Sequence, residues 1–415
     1  MKQTWRWFGP ADLVSIDDMR QAGVEGVVSA LHHRAPGEVW ALAEIQQRQA
    51  EIAAFSDGSP SSLAWDVVES LPVSEAIKQQ KGPWREHIEA YKTSLEALAE
   101  AGIAVVCYNF MPILDWTRTD LARRMPTGAT AMAFDAIDFA AYDLFILARK
   151  GAADSFEPGI QDAATERFAG MDKAAKQQLA RTVTFGLPGA AQTLSLDDVR
   201  DLLALYGDIS ANQLRAHFID FLDAVIPTAE RLGLRLCCHP DDPPFPLLGL
   251  PRVVSTEADY RTLLDAVDST ANGVTLCSGS LGVRADNDLP GMMQRLGDRV
   301  HFLHLRNVST SGKELFCSFY EDEHLAGNTD MVALLAAVHA EEQRRRGQGR
   351  ADWSIPLRPD HGQDILDDQG RKTQPGYPSI GRLKGLAELR GIWTALDHPK
   401  WGLQGRKSDL GAESA

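Results

Sequence analysis

One recurring unit constrains the fold of this chain more than any other feature. A helix-forming stretch ends at a glycine, and a short run of branched or aromatic residues follows at once. Residues 94–110, SLEALAEAGIAVVCYNF, show it, with Gly102 placed to cap the helix before the strand. Residues 224–240, AVIPTAERLGLRLCCHP, repeat it with Gly233 in the same role, and 18–33 and 263–280 are looser copies. The strand-like runs are TWRWFG, GVVSALH, LAWDVVES, AVVCYNF, LRLCCH, VTLCSG, VHFLHLRN and WSIPLRPDH. Strands that alternate with helices pair in parallel, and eight of them predict a closed (β/α)8 TIM barrel. A doubly wound open sheet is the alternative, but no glycine-rich phosphate fingerprint follows the first strand.

One gap exceeds a single crossover helix. Between CYNFMP and LRLCC the pattern is mostly helical, and Ser195 with Asp198 and Ser210 with Gln213 have capping-box spacing. Residues 111–209 are therefore expected to form a helical insertion between strands 4 and 5, on the catalytic face of a single barrel domain. GRLKGLAELRGIWTAL reads as the closing helix, and 401–415 as a loose tail. A net charge of −15 without a basic block excludes nucleic acid as an expected partner. No apolar run is long enough to span a bilayer, and MKQTWRWFGPADL lacks the pattern of a signal peptide. Five cysteines do not make a disulfide framework in a chain of 415 residues. The expectation is a cytoplasmic protein with reduced thiols and no membrane partner.

In such barrels chemistry sits at the C-terminal ends of the strands. Four late strands end on metal-ligand types: His239 in CCHPDD, Cys277 in TLCSGS, His304 in FLHLRN and Asp360 in LRPDHG. Strand alternation puts His304 and Arg306 on one face with His301 opposite, pairs His239 with Cys237, and pairs Asp360 with Arg358. Singly, each such residue is more often packing or hydrogen-bonded structure than ligand. Jointly, four ligand types on successive strand ends can converge on one divalent cation. The cysteine favours zinc on softness alone, with iron and manganese open.

Other residues suit an anionic, polyhydroxylated substrate. Arg306 and Arg358 lie beside the ligands and could clamp a carboxylate, and Arg284 is a third candidate. The competing reading pairs these arginines with the chain's many acids. Asn109 should face the mouth and bond a substrate hydroxyl. His361 is a candidate acid or base: alternation points it away from the metal, but Pro359 and Gly362 mark a turn. Tyr377 falls in the loop that must cover the mouth, as lid, packing or catalyst. His32 and His33 are at most substrate contacts.

HPDDPP, CSGSLGVRADNDL, HLRN and RPDHG together resemble the mannonate dehydratase family, as do WRWFGP, ALHH, GEVW, VESLPV and YNFMPILDWTRT. The likeness runs in order from about Gln3 to about Leu396. It implies a xylose-isomerase-like barrel that dehydrates D-mannonate to 2-dehydro-3-deoxy-D-gluconate in hexuronate breakdown. It further implies one Mn2+ or Fe2+ per chain on His239, Cys277, His304 and Asp360, replacing zinc in the expectation, with His361 and Tyr377 as the catalytic pair. Which of the two is base stays open. A homo-oligomer, with a dimer favoured, is also expected. A sugar isomerase or metallohydrolase on a similar barrel is the rival, although an isomerase would call for several carboxylate ligands and the set here has one.

Overall fold

The computed structural model describes residues 1–185, 194–207, 209–400 and 402. Eight parallel strands close into a barrel: β1 (Lys2–Arg6), β2 (Gly26–Ser29), β3 (Trp65–Glu69), β4 (Val105–Tyr108), β5 (Arg235–Cys238), β6 (Asn272–Cys277), β7 (Val300–His304) and β8 (Pro356–Arg358). Their order around the barrel is β1-β8-β7-β6-β5-β4-β3-β2, with Lys2 opposite Pro356 at the closing seam. Each expected strand is present. Gly102 and Gly233 take the left-handed φ values of 79° and 73° that let a helix stop and a strand begin.

Alternation along the strands sorts side chains between two cores. Val28, Val67, Cys107, Cys237 and Phe302, from five different strands, pack on one another inside the barrel. Leu236, Cys238, Leu303 and Leu305 instead join the larger core between barrel and helices. His301 follows this outward set, with Nε2 3.0 Å from the Thr270 carbonyl. Cys237 and Phe302 thus begin inward-facing columns that continue at the rim as His239 and His304.

The segment between β4 and β5 contains the helices Pro158–Gly170, Lys173–Val183 and Leu196–Tyr206, after which Ala211–Arg231 leads into β5. Both capping boxes form, on Ser195 and on Ser210. Two strands that the sequence reading did not anticipate lie in the same segment, Asp120–Arg124 and Thr130–Phe134. They join Asn307–Thr310 and Phe319–Asp322, which follow β7, in an antiparallel sheet. DLARR is charged and mostly exposed, and TAMAF is rich in helix formers, so neither carries the period-2 signal of a strand. Phe134, Phe139, Phe245 and Phe319 pack in a second core under this cap. The expected tail at 401–415 lies, apart from Gly402, outside the described residues. No helix among the described residues is long and apolar enough to cross a membrane.

Candidate active site

The C-terminal strand ends and the loops that leave them line a cavity that His239 reaches from the inward column of β5. Ligating atoms of His239, Cys277 and His304 lie within 4.8 Å of one another. His239 Nδ1 donates to the Pro240 carbonyl at 2.7 Å, because a carbonyl can only accept, and this leaves the Nε2 lone pair free. His304 is fully buried, and its Nε2, 3.2 Å from Glu69 Oε2, has no aligned hydrogen-bond partner among the described residues. The buried Cys277 Sγ receives the Ser280 N–H at 3.4 Å. Asp360 stands beside this trio rather than within it. Its Oδ2 is 3.7 Å from Cys277 Sγ, while Arg306 Nε and Arg358 Nη1 hold its two oxygens at 2.6 and 2.5 Å. Burial alone would raise the Asp360 carboxyl, but Arg358, His361 and Arg306 hold it well below the usual carboxylate range. Two imidazoles, a thiol and an ionised carboxylate make a donor set that fits a divalent transition-metal ion.

The turn after β8 delivers two consecutive side chains to the cavity. Asp360 has a left-handed φ of 60°, which an aspartate tolerates better than most residues, and the break in alternation lets His361 line the cavity with it. Glu321, from the cap sheet, accepts from His361 Nδ1 at 2.8 and 2.9 Å. His361 Nε2 lies 3.1 Å from the Tyr377 hydroxyl, which also accepts from Arg6 Nη1 at 3.0 Å. With Nδ1–H committed to a carboxylate, the Tyr377 O–H must donate to Nε2. Burial lowers the His361 pKa against the pull of Glu321, and burial raises that of Tyr377 against Arg6 and Arg358. Gly376, at φ 81°, makes this approach possible: a Cβ there would lie 2.2 Å from Met132 Cε and 3.2 Å from His361 Cγ.

The arginines expected as carboxylate clamps are engaged by acids in this structure. Arg306 and Arg358 line the cavity, but their guanidiniums are committed to buried acids. Arg306 binds Asp242, Glu321 and Asp360, and Arg358 binds Glu69 and Asp360. Arg284 lies outside the cavity lining and pairs with Asp286 at 2.6 Å, as the competing reading had it. Neither His32 nor His33 lines the cavity; His33 is exposed and contacts Glu44 at 3.0 Å. Asn109 does line it, donating to Asp115 Oδ2 at 2.8 Å and Ser70 Oγ at 3.3 Å.

The family model for D-mannonate dehydratase (UxuA) matches residues 1–401. The chain belongs to the D-mannonate dehydratase family. It is accordingly a hydro-lyase. A mannonate dehydratase of Rhizobium meliloti (strain 1021) is 54% identical over 403 residues, covering 97% of this chain and 99% of that protein. Mannonate dehydratase 1 of Agrobacterium fabrum matches at the same identity and coverage. The crystal structure of the mannonate dehydratase from Streptococcus suis serotype 2 superposes with a TM-score of 0.71 at 32% identity, over 95% of this chain and 93% of that one. In this member of the D-mannonate dehydratase family, sequence reasoning missed Arg6, Glu69, Asp115, Asp242 and Glu321. Arg6 and Glu69 end β1 and β3 at the same rim, so charged residues closing strand-like runs were the available signal. Glu321 had none, because its strand belongs to a cap sheet that the sequence pattern did not announce.

Proposed function

We propose that the chain converts D-mannonate to 2-dehydro-3-deoxy-D-gluconate with His361 as base and Tyr377 as acid. The observation that carries this is the hydrogen-bonded chain Glu321–His361–Tyr377–Arg6. A C–H beside a carboxylate is weakly acidic, so a histidine base must be unprotonated and the imidazolium it forms must be stabilised. His361 meets both needs: burial keeps the imidazole neutral, and Glu321 faces the Nδ1–H of the imidazolium that forms. Tyr377 supplies the proton with which the 3-hydroxyl leaves as water, and the Arg6 guanidinium holds the phenolate left behind. The C2 proton then resides on His361 Nε2, 3.1 Å from that phenolate, and its transfer to the tyrosine resets the pair. The enol product becomes the 2-ketone without further catalysis. When bound, one Mn2+ or Fe2+ on His239, Cys277, His304 and Asp360 supplies positive charge against the enediolate that proton removal creates.

The same reading assigns the chain, as a proposal from its family resemblance, to hexuronate breakdown in the cytoplasm and to a homodimer. Sedimentation of the purified protein tests the last point. The decisive experiment incubates the metal-loaded protein with D-mannonate and assays for a 2-keto-3-deoxy acid. Product should form, cease on chelation and return with manganese or ferrous iron. Absence of product from protein of verified metal content would sink the reading, and full activity without metal would sink the metal's part in it.

A further inference from the structure

The loop that leaves β4 brings a carboxyl group to the cavity that the proton relay does not use. Asp115 lines the cavity and is half-buried. Its Oδ2 accepts from Asn109 at 2.8 Å, whereas Oδ1 is shut off from bulk solvent and has no hydrogen-bond partner among the described residues. Buried carboxylate oxygens are nearly always satisfied, so an orphan on a cavity wall marks a place for a ligand's donor. A carboxylate only accepts, and it repels the anionic end of a sugar acid, which leaves a hydroxyl as the complementary group.

Position in the barrel says which hydroxyl. In the strand order β1-β8-β7-β6-β5-β4-β3-β2, β4 stands diametrically across from β8. Asn109 follows β4 directly and His361 follows β8, while the β4 loop runs on past Asp115 to Trp116, whose ring meets that of His361 edge-on with centroids 6.2 Å apart. A six-carbon acid whose C2 and C3 face the relay extends the rest of its chain toward the opposite wall. We propose that Asp115 accepts a hydrogen bond from a hydroxyl on the C4–C6 part of the substrate, and so helps select which polyhydroxy acids are dehydrated. This rests on the dehydratase reading above, and it makes Asp115 a specificity-determining residue supplied by the insertion rather than by the barrel.

The test compares the metal-loaded wild type, Asp115→Ala and Asp115→Asn on D-mannonate and on its 4-, 5- and 6-deoxy analogues. For D-mannonate, kcat/KM should fall on the order of 10- to 100-fold in Asp115→Ala, mainly through KM, as expected for loss of a hydrogen bond to a charged group. One analogue should cost the wild type a similar factor yet cost Asp115→Ala almost nothing, because that bond is already gone. Asp115→Asn keeps the side-chain shape and should lose part of the same discrimination, which preserves the test if the alanine variant does not fold. Parallel losses across all analogues in wild type and variants would overturn the proposal, as would an unchanged kcat/KM in Asp115→Ala. Loss of bound metal in Asp115→Asn would also overturn it, by making Asp115 a support of the ligands. A wild type inert toward D-mannonate would sink the dehydratase reading itself, whereas an active wild type with insensitive variants removes only the role of Asp115.

Discussion

Arg358 occupies the place of a substrate clamp, yet its guanidinium is already divided between two acids. Nε and Nη2 hold Glu69 at 2.9 and 2.7 Å, and Nη1 holds Asp360 at 2.5 Å. Truncation would leave both carboxylates buried with too few partners, so Arg358→Ala should cost about 3–5 kcal/mol of stability and weaken metal retention, read by denaturant unfolding and elemental analysis. A raised KM with stability and metal content intact would restore the clamp. A second pair of variants separates holding a metal from using it. Cys277→Ala should lose metal and, with it, activity. His361→Asn should keep its metal while kcat falls by about 10²–10⁴-fold, the usual cost of one acid–base group. Loss of metal from His361→Asn would move the proton-transfer role elsewhere. The convergence of His239, Cys277 and His304 was legible because they close strand-like runs whose alternation fixes their direction. The acids that engage the arginines were not, since Asp242 and Glu321 meet Arg306 only through folding contacts 64 and 15 residues apart in sequence.

At the scale of elements, the loop from β8 to the closing helix Ser379–Leu396 carries both relay residues, and its geometry depends on Gly376. Gly376→Ala would combine a left-handed φ of 81° with a contact against Met132, so the loop must shift. Displacement of the Tyr377 hydroxyl from His361 should lower kcat about 10- to 100-fold while the metal stays bound, because small misplacements of a catalytic group are expensive. A normal kcat in this variant would show that the loop tolerates the change. The barrel strands were readable from their branched residues and glycine caps, whereas the cap strands were not. Asp120–Arg124 is held by pairing with Thr130–Phe134, and that strand in turn pairs with Phe319–Asp322, a partner far along the chain. Local sequence carries no record of such a partner.

Across the whole molecule, two buried histidines that are not relay members link stability to pH, His32 among them lying within the field of Arg6. His301 and His32 are pushed down to about 3, chiefly by burial, with nearby arginines adding to the effect. The unfolded chain takes up protons at these sites below pH 6.5, and the folded chain does not until about 3. Stability is therefore full above 6.5 and is lost as the pH falls toward 3. Each site should subtract about 1.4 kcal/mol at pH 5.5 relative to pH 7.5. Urea unfolding of the metal-free protein at both values checks this, and the drop should be smaller in His301→Gln. An equal drop in that variant would remove His301 from the account.

The closing seam sets a schedule for the nascent chain. Lys2 leaves the ribosome first among the barrel residues, yet its partner Pro356 is translated near the end. At roughly 5–20 residues per second the interval is on the order of half a minute. For that time β1 has β2 as its neighbour on one side and an open, hydrogen-bond-hungry edge on the other, which is the kind of surface that recruits stray strands. The cap waits too, because Thr130–Phe134 cannot pair with Phe319–Asp322 until the later strand has emerged. The barrel thus stays unclosed for most of its synthesis, a consequence of a seam that joins the two ends of the fold.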